Sequence, residues 1–351
     1  MPELLNDPLV YLQTNKDPTR KYQDKVNGII AVLLEESVIC DQKARYLKAH
    51  NTLPPRLYEL RKIHKPGCKL RPVVSCIKSP CYKLAKFLHG LLTPLINTFE
   101  FNIRNSTEMV RFINNTRLPP DYILVSLDVV SLFTNIPKAL VLEIINEEYE
   151  TIRELVKVSK GKLCSLINVC FKTSYFTFNN VFYLQLDGSS MGNPASPVLA
   201  NLVMDYVLWK IVDSLPFHVP FLKLYMDDTL LAMPGDEVDG LLDHFNRFHE
   251  KIQFTMEREQ DGELAFLDTI VIRMADEELR TKWFQKPTSS GRLLNFNSHH
   301  PLAHKTSVAL GLIYRAVTLN HSMYHQENLK KVRVILKRNN YPTKFIDCCI
   351  N

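Results

Sequence analysis

The chain has 351 residues, 46% of them hydrophobic and 23% charged, with a formal net charge of +6. Leu, Ile, Val and Phe recur throughout, which excludes wholesale disorder and supplies apolar surface for more than one subdomain. The mild positive charge permits a polyanionic partner without demanding one, and no run approaches the 18 uncharged apolar residues a membrane span needs. The opening MPELLNDPLVY carries acids and a proline, unlike a secretory leader. Eight cysteines are scattered with no C-x-x-C pair, and Cys348 and Cys349 are adjacent, so a reduced intracellular protein is expected.

Residues 1–50 read as partly helical, with GIIAVLLEE (28–36) the clearest apolar segment. Between 51 and 88, prolines and Gly67 punctuate short extended pieces. KLRPVVS reads as an edge strand, because its proline cannot donate to a ladder. Cys81 to Leu92 turns helical, with Lys83 and Lys86 on the polar side and Pro94 as the expected stop. DYILVSLDVVSLFTNIP (121–137) is a buried-type strand ending at Asp128, and 138–157 is helical by period. SLINVCFKTSYFTFNNVFYLQLDG (165–188) passes from helix into a hairpin, and GSSMGNPASPVLANLVMDYVLWKIVDSL (188–215) is a glycine-marked loop feeding a long apolar helix. FLKLYMDDTLLAM (221–233) is a second hairpin, followed by a helix at 236–250, strands over 251–284 and a helix at 302–319. This order predicts an α+β fold, an antiparallel sheet backed by helices. No G-x-G-x-x-G follows a strand, which argues against a dinucleotide-binding βαβ unit.

Three carboxylates stand out. Asp128 ends the apolar run ILVSLD, and Asp227 and Asp228 sit where LKLY meets TLLA. A two-residue turn there would put the pair at a hairpin tip, although Asp-Asp is not the favoured turn dipeptide. If the fold joins them to Asp128, like charges repel, and a divalent cation relieves the repulsion. Mg²⁺ takes hard oxygens of this kind, and two such ions about 3.5–4 Å apart clamp the attacking and leaving oxygens of a phosphoryl transfer. The bland alternative is a solvated turn and an unrelated strand-end acid; the apolar flanks weigh against it.

At these residues the chain resembles reverse transcriptases. YMDD at 225–228 resembles their Tyr-x-Asp-Asp motif, SLDVVSLFTNIP (126–137) their first palm motif and GSSMGNPASPVLANLVM (188–204) their second. LPPRLYELRKIHKPGCKLRPVVS (53–75), AFLDTIVIR (265–273) and KPTSSGRLLNFNSHHPLAHK (286–305) are similar to the wording of Penelope-like retroelement enzymes, and the resemblance covers about residues 5–345. It implies a right-hand polymerase fold: an N-terminal region and fingers over 1–120, a palm over 121–275 with inserted fingers elements around 138–185, and a thumb-like basic region over 276–351. The implied activity is that of an RNA-directed DNA polymerase, a nucleotidyltransferase adding dNTPs to a DNA primer 3′-hydroxyl on an RNA template. Two Mg²⁺ ions, or Mn²⁺ in their place, would serve it. A retrotransposon context and an intracellular setting, nuclear before cytoplasmic, go with it. Nothing in the chain resembles the GIY-YIG endonuclease of many Penelope-like proteins. The competing readings are an inactive remnant that only binds nucleic acid and a DNA-templated polymerase of the same fold.

The resemblance also assigns roles. Asp128 and Asp227 would bridge both ions, with Asp228 a less direct partner and the Val129 carbonyl completing a shell. Phe133 would lie under the sugar and reject a ribose 2′-hydroxyl. Arg71, with Lys62 or Lys65, would hold the triphosphate. Gly192 would let the backbone approach the nascent base pair, with Gln185 and Ser190 adding polar contacts. Tyr225 and Met226 would touch the primer end and Leu267 would sit near the primer grip. Lys330, Lys331, Arg333 and Lys337 would contact template–primer phosphates. His299, His300 and His304 lack a fourth ligand at zinc spacing and read as structural.

Overall fold

Aromatic and β-branched runs bounded by Gly, Pro and Asn form the strands, and the longer 3.6-periodic runs form the helices. A computed structural model describes residue 5, residues 7–61 and residues 70–350. In chain order the elements are β1 (Tyr11–Thr14), α1 (Thr19–Glu35), α2 (Asp41–Leu47), β2 (Arg56–Arg61), β3 (Leu70–Ser75), α3 (Tyr82–Ile96), α4 (Ser106–Ile113), β4 (Tyr122–Val129), α5 (Leu132–Asn135), α6 (Lys138–Val156), α7 (Lys160–Lys172), β5 (Tyr175–Phe178) and β6 (Val181–Gln185). Then follow α8 (Ser196–Asp213), β7 (Leu222–Tyr225), β8 (Asp228–Pro234), α9 (Val238–Arg247), β9 (Phe254–Arg258), β10 (Glu263–Phe266), β11 (Thr269–Arg273), β12 (Leu279–Trp283), α10 (Leu302–Thr318), α11 (His325–Arg338) and α12 (Thr343–Ile350). Two units interleave along the chain: one holds residues 1–102, 129–215 and 243–254, the other 103–128, 216–242 and 255–351.

The first unit contains a five-stranded sheet in the order β1-β6-β5-β2-β3. β3 lies at its edge with Pro72 opposite Glu59, the place where a strand proline loses least. The β5–β6 hairpin closes through Asn179 and Asn180, both at positive φ, a conformation asparagine tolerates. β1 was not foreseen. Its four residues YLQT carry no strand signal of their own and are held by pairing with β6. Pro94 does not stop α3 but lies inside its last turn, where only two helical residues follow and little ladder is lost. α8 is apolar on every side and buried along most of its length, as a helix in the middle of a core must be.

α8 also buries part of an acid. Desolvation, and after it the charges of Glu100 and Glu148, push the Asp205 carboxyl up to about 6 from its usual 3.8. The folded state therefore holds this proton more tightly than the unfolded chain, so the group costs stability at neutral pH and stops doing so as pH falls from 6 toward 4. Asp205→Asn is expected to raise the unfolding free energy at pH 7 by about 1 kcal/mol, a figure reduced for partial solvent screening, and to have no effect near pH 4. Denaturant midpoints of both proteins at the two pH values check this.

In the second unit a four-stranded sheet runs β7-β8-β4-β9, and a three-stranded antiparallel sheet runs β10-β11-β12. Met109 and Ile113 of α4 pack with Leu124, Leu230 and Ala232 of the first sheet and with Leu264, Val271 and Leu279 of the second. A further core joins Ala309 and Ala316 of α10, Val332 and Leu336 of α11, and Tyr341 and Ile346 to Trp283. Inside it Asn328, fully buried, donates to the Asn320 side-chain oxygen at 2.8 Å. Residues 276–351 thus share a unit with the strands that bear the acids, while 138–185 falls in the unit of the N-terminal region.

Candidate active site

β4 and β8 pair antiparallel, and Asp128 is the direct partner of Asp228. Directly opposed residues stand about 4.5–5.5 Å apart at Cα and face the same side of the sheet. Tyr225 of β7 pairs with Asp228, so Met226 and Asp227 form the two-residue turn between them. Residues far apart in sequence therefore meet at one sheet end: Asp128 and Asp228 side by side, Asp227 in the adjoining turn. A two-residue turn holding both acids is thus not what forms: Asp227 sits in the turn and Asp228 is the first residue of β8. All three are half-buried, and the Asp128 main-chain oxygen accepts from the Thr255 hydroxyl at 3.3 Å.

The turn is strained. Met226 has φ 61°, a left-handed conformation that turns of this length usually give to glycine. The β10–β11 turn repeats the pattern: Phe266 pairs with Thr269, and Leu267 has φ 54° ahead of Asp268. An apolar residue at positive φ followed by aspartate thus closes both hairpins. Leu267 packs onto the apolar core of its unit, and the Asp268 carboxylate pairs with Arg315 at 2.8 Å. Tyr225 and Met226 are both exposed.

Among the described residues no three His, Cys, Asp or Glu side chains stand grouped to hold a metal ion. The pairing register still brings the three acids to one end of the sheet. The donor set nonetheless fits Mg²⁺ in kind, since carboxylates and a main-chain carbonyl are all hard oxygens. Val129, whose carbonyl was expected to complete the set, is the last residue of β4 and is buried.

The residues expected at the nucleotide lie in the other unit. Lys62 and Lys65 fall outside the described residues. Arg71 is exposed on β3. Phe133 is half-buried in α5, and its carbonyl accepts from the Ser189 N–H at 2.8 Å. The loop 188–195 is tied on several sides. Val74 of β3 donates to the Met191 carbonyl at 2.7 Å, the Ser196 hydroxyl donates to the Ser190 carbonyl at 2.9 Å, and the Asn193 side chain accepts from the Ala195 N–H at 3.0 Å. Gly192 has φ 115°, and a Cβ there would lie 2.2 Å from the Val74 carbonyl oxygen. The close approach it allows is to β3. Gly188 is as tightly placed, 2.0 Å from the Thr134 carbonyl oxygen by the same measure, a constraint the sequence reading missed although GSS after a strand signals a turn. Gln185 is buried, and its side-chain nitrogen has no hydrogen-bond partner.

The family described as reverse transcriptase (RNA-dependent DNA polymerase) matches residues 63–259, more than half of the chain, and takes in the paired acids, the strained turn and the glycine loop. The chain belongs to the reverse transcriptase family. Solved structures agree at the level of fold. The telomerase of Candida albicans in complex with a fragment of telomeric RNA matches at TM-score 0.50 and 9% identity, over 97% of this chain and 70% of that one. The Sicinivirus 3Dpol RNA-dependent RNA polymerase matches at 0.55 and 12%, over 89% and 71%. An insertion-loop deletion mutant of a human picorbirnavirus RNA-dependent RNA polymerase matches at 0.55 and 12%, over 85% and 59%. The chain therefore has the right-hand polymerase fold, and it spans between 55% and 70% of the first solved chains it matches. No curated protein matches it.

The reverse transcriptase match ends before the C-terminal helices, where the animal helix-turn-helix family matches residues 292–351, covering α10 to α12. This is the region expected to be thumb-like. Of its four basic residues assigned to template–primer, Lys331 pairs with Glu327 at 2.7 Å and Arg333 pairs with Asp347, while Lys330 and Lys337 are exposed and, among the described residues, have no ion pair. The charge that α11 offers to solvent is thus smaller than its sequence suggests. His300 contacts the Ser298 hydroxyl at 3.2 Å, and its ring lies 6.3 Å from that of His304.

Proposed function

We propose that this reverse transcriptase copies RNA into DNA by extending a primer 3′-hydroxyl with dNTPs, as the polymerase of a Penelope-like retrotransposon acting in the nucleus. The observation that supports the reading most is the register placing Asp128 opposite Asp228 with Asp227 in the next turn. Asp128, Asp227 and Asp228, with the Val129 carbonyl, would hold two Mg²⁺ ions. Such ions, when bound, acidify the attacking hydroxyl and neutralise the pyrophosphate that leaves. The half-buried sheet end limits water around the acids, which strengthens every charge interaction there.

In this reading residues 1–120 supply the N-terminal region and fingers, 121–275 the palm and 276–351 a thumb-like nucleic-acid contact, made chiefly by the exposed Lys330 and Lys337. Arg71 serves the triphosphate, and Gly192 and Gln185 serve the nucleotide through the loop and the strand end they build. Primer extension by the purified chain on RNA and on DNA templates, with Mg²⁺ or Mn²⁺, tests the proposal. Extension on DNA alone would make it a DNA-templated polymerase, and nucleic-acid binding without extension on either would make it a remnant.

Phe133 has its own test. Its ring, on a short helix anchored to the 188–195 loop by the Ser189 hydrogen bond, is the proposed barrier to a 2′-hydroxyl. Phe133→Ala is expected to raise rNTP incorporation relative to dNTP by roughly ten- to a hundredfold, since the discrimination is steric. An unchanged ratio in single-nucleotide insertion assays would remove that role.

A further inference from the structure

We infer that the α2–α3 surface of the first unit is a docking strip for single-stranded RNA, an inference that rests on the polymerase reading. α3 contains no acidic residue and α2 only Asp41, while Lys43, Arg45, Lys48, Lys83 and Lys86 are all exposed. Among the described residues none of these five cations is ion-paired to a carboxylate, whereas elsewhere on this unit Lys162 pairs with Glu36 and Lys251 with Asp187. Five exposed cations on and just beyond two helices, without a carboxylate partner among the described residues, repel one another and favour an anionic partner.

The strip also holds an aromatic ring in the open. Tyr46 is 56% exposed, an unusual position for a large ring at the end of a helix whose other face is buried. Lys43 Nζ lies 5.7 Å and Lys83 Nζ 5.2 Å from its ring centroid, and Lys43 Nζ also lies 5.4 Å from the Phe87 ring. Lys83 is anchored in turn, donating to the Tyr46 carbonyl at 2.8 Å and the Lys48 carbonyl at 3.5 Å, where the helix end offers partial negative charge. The ring is therefore flanked by two cations, one of which, Lys83, is held in place by main-chain carbonyls. An exposed ring within a cationic strip is how single strands are held without reading sequence: bases stack on the ring and phosphates meet the lysines. A duplex hides its base faces, and an acidic peptide satisfies the lysines but gives the ring nothing to stack.

The test uses the full chain and a labelled single-stranded oligoadenylate RNA, followed by fluorescence anisotropy over a salt series. DNA of the same sequence, a blunt RNA duplex and an oligoglutamate peptide serve as comparison probes. Replacing Lys43, Lys48 and Lys86 together by Gln should reduce the slope of log affinity against log salt by about 2, since each single-strand phosphate contact contributes about 0.7. Tyr46→Ala should weaken RNA binding about tenfold with the slope unchanged, and Tyr46→Phe should restore it. All these side chains are exposed, so the variants should keep the wild-type circular dichroism. Variants that bind the RNA as the wild type does would overturn the inference, as would losses confined to DNA, the duplex or the peptide. A wild-type chain with no affinity for any nucleic acid would overturn the polymerase reading and this inference with it.

Discussion

Asp228→Asn is expected to cut primer extension by about a thousandfold while leaving the protein folded. Asp128 and Asp228 are direct partners across β4 and β8, and an amide of the same shape keeps that pairing. The same change removes a proposed hard anionic ligand, and electrostatic stabilisation at a phosphoryl-transfer site is worth several kcal/mol, each 1.36 kcal/mol being a factor of ten in rate. Single-turnover extension and a denaturant melt of the same preparation check both halves. A variant that is inactive because it is unfolded would contradict the account, and so would one that keeps wild-type extension.

Gly192→Ala is expected to be among the most damaging single methyl additions in the first unit. The added carbon would sit 2.2 Å from the Val74 carbonyl oxygen, on a backbone with φ 115°. Neither neighbour can yield cheaply, because Val74 donates its own N–H to the Met191 carbonyl and β3 is paired along its length with β2. The loss should be about 3 kcal/mol or more, combining a forbidden conformation with a backbone collision. Chemical denaturation followed by tryptophan fluorescence and far-UV circular dichroism would show it as a lowered midpoint. Alanine at Gly188 should behave similarly, while alanine at Gly28, where nothing lies within 4 Å, should be tolerated.

Much of this was legible in the chain before any coordinates. The strand ending at Asp128, the hairpin around YMDD and the long apolar helix after the glycine loop follow from periodicity and turn chemistry, and they recur as β4, β7–β8 and α8. What periodicity could not supply was pairing. β1 exists because β6 offers an edge, and the neighbour of Asp128 proved to be Asp228 because register depends on where the turn falls by a single residue. The turn itself defies local preference, with methionine at positive φ where glycine or asparagine would be easier. Such violations gather where something other than stability has shaped the backbone. The role given to Lys331 and Arg333 was legible only as charge; their partners Glu327 and Asp347 lie on the same helix and on α12, and pairing through space reduces what a count of basic residues implies.

Neither unit is a continuous stretch of polypeptide. On a ribosome, the segment 103–128 would emerge long before the residues from 255 onward that complete its core, and synthesis at about 5–20 residues per second leaves it waiting for many seconds. The nascent strand bearing Asp128 spends that interval without Leu264, Phe266, Val271 and Leu279, which share the core around its Leu124. Cooperative closure is thus postponed until translation is nearly over, and fragments cut at any of the five internal crossings would be poor folders however intact their motifs.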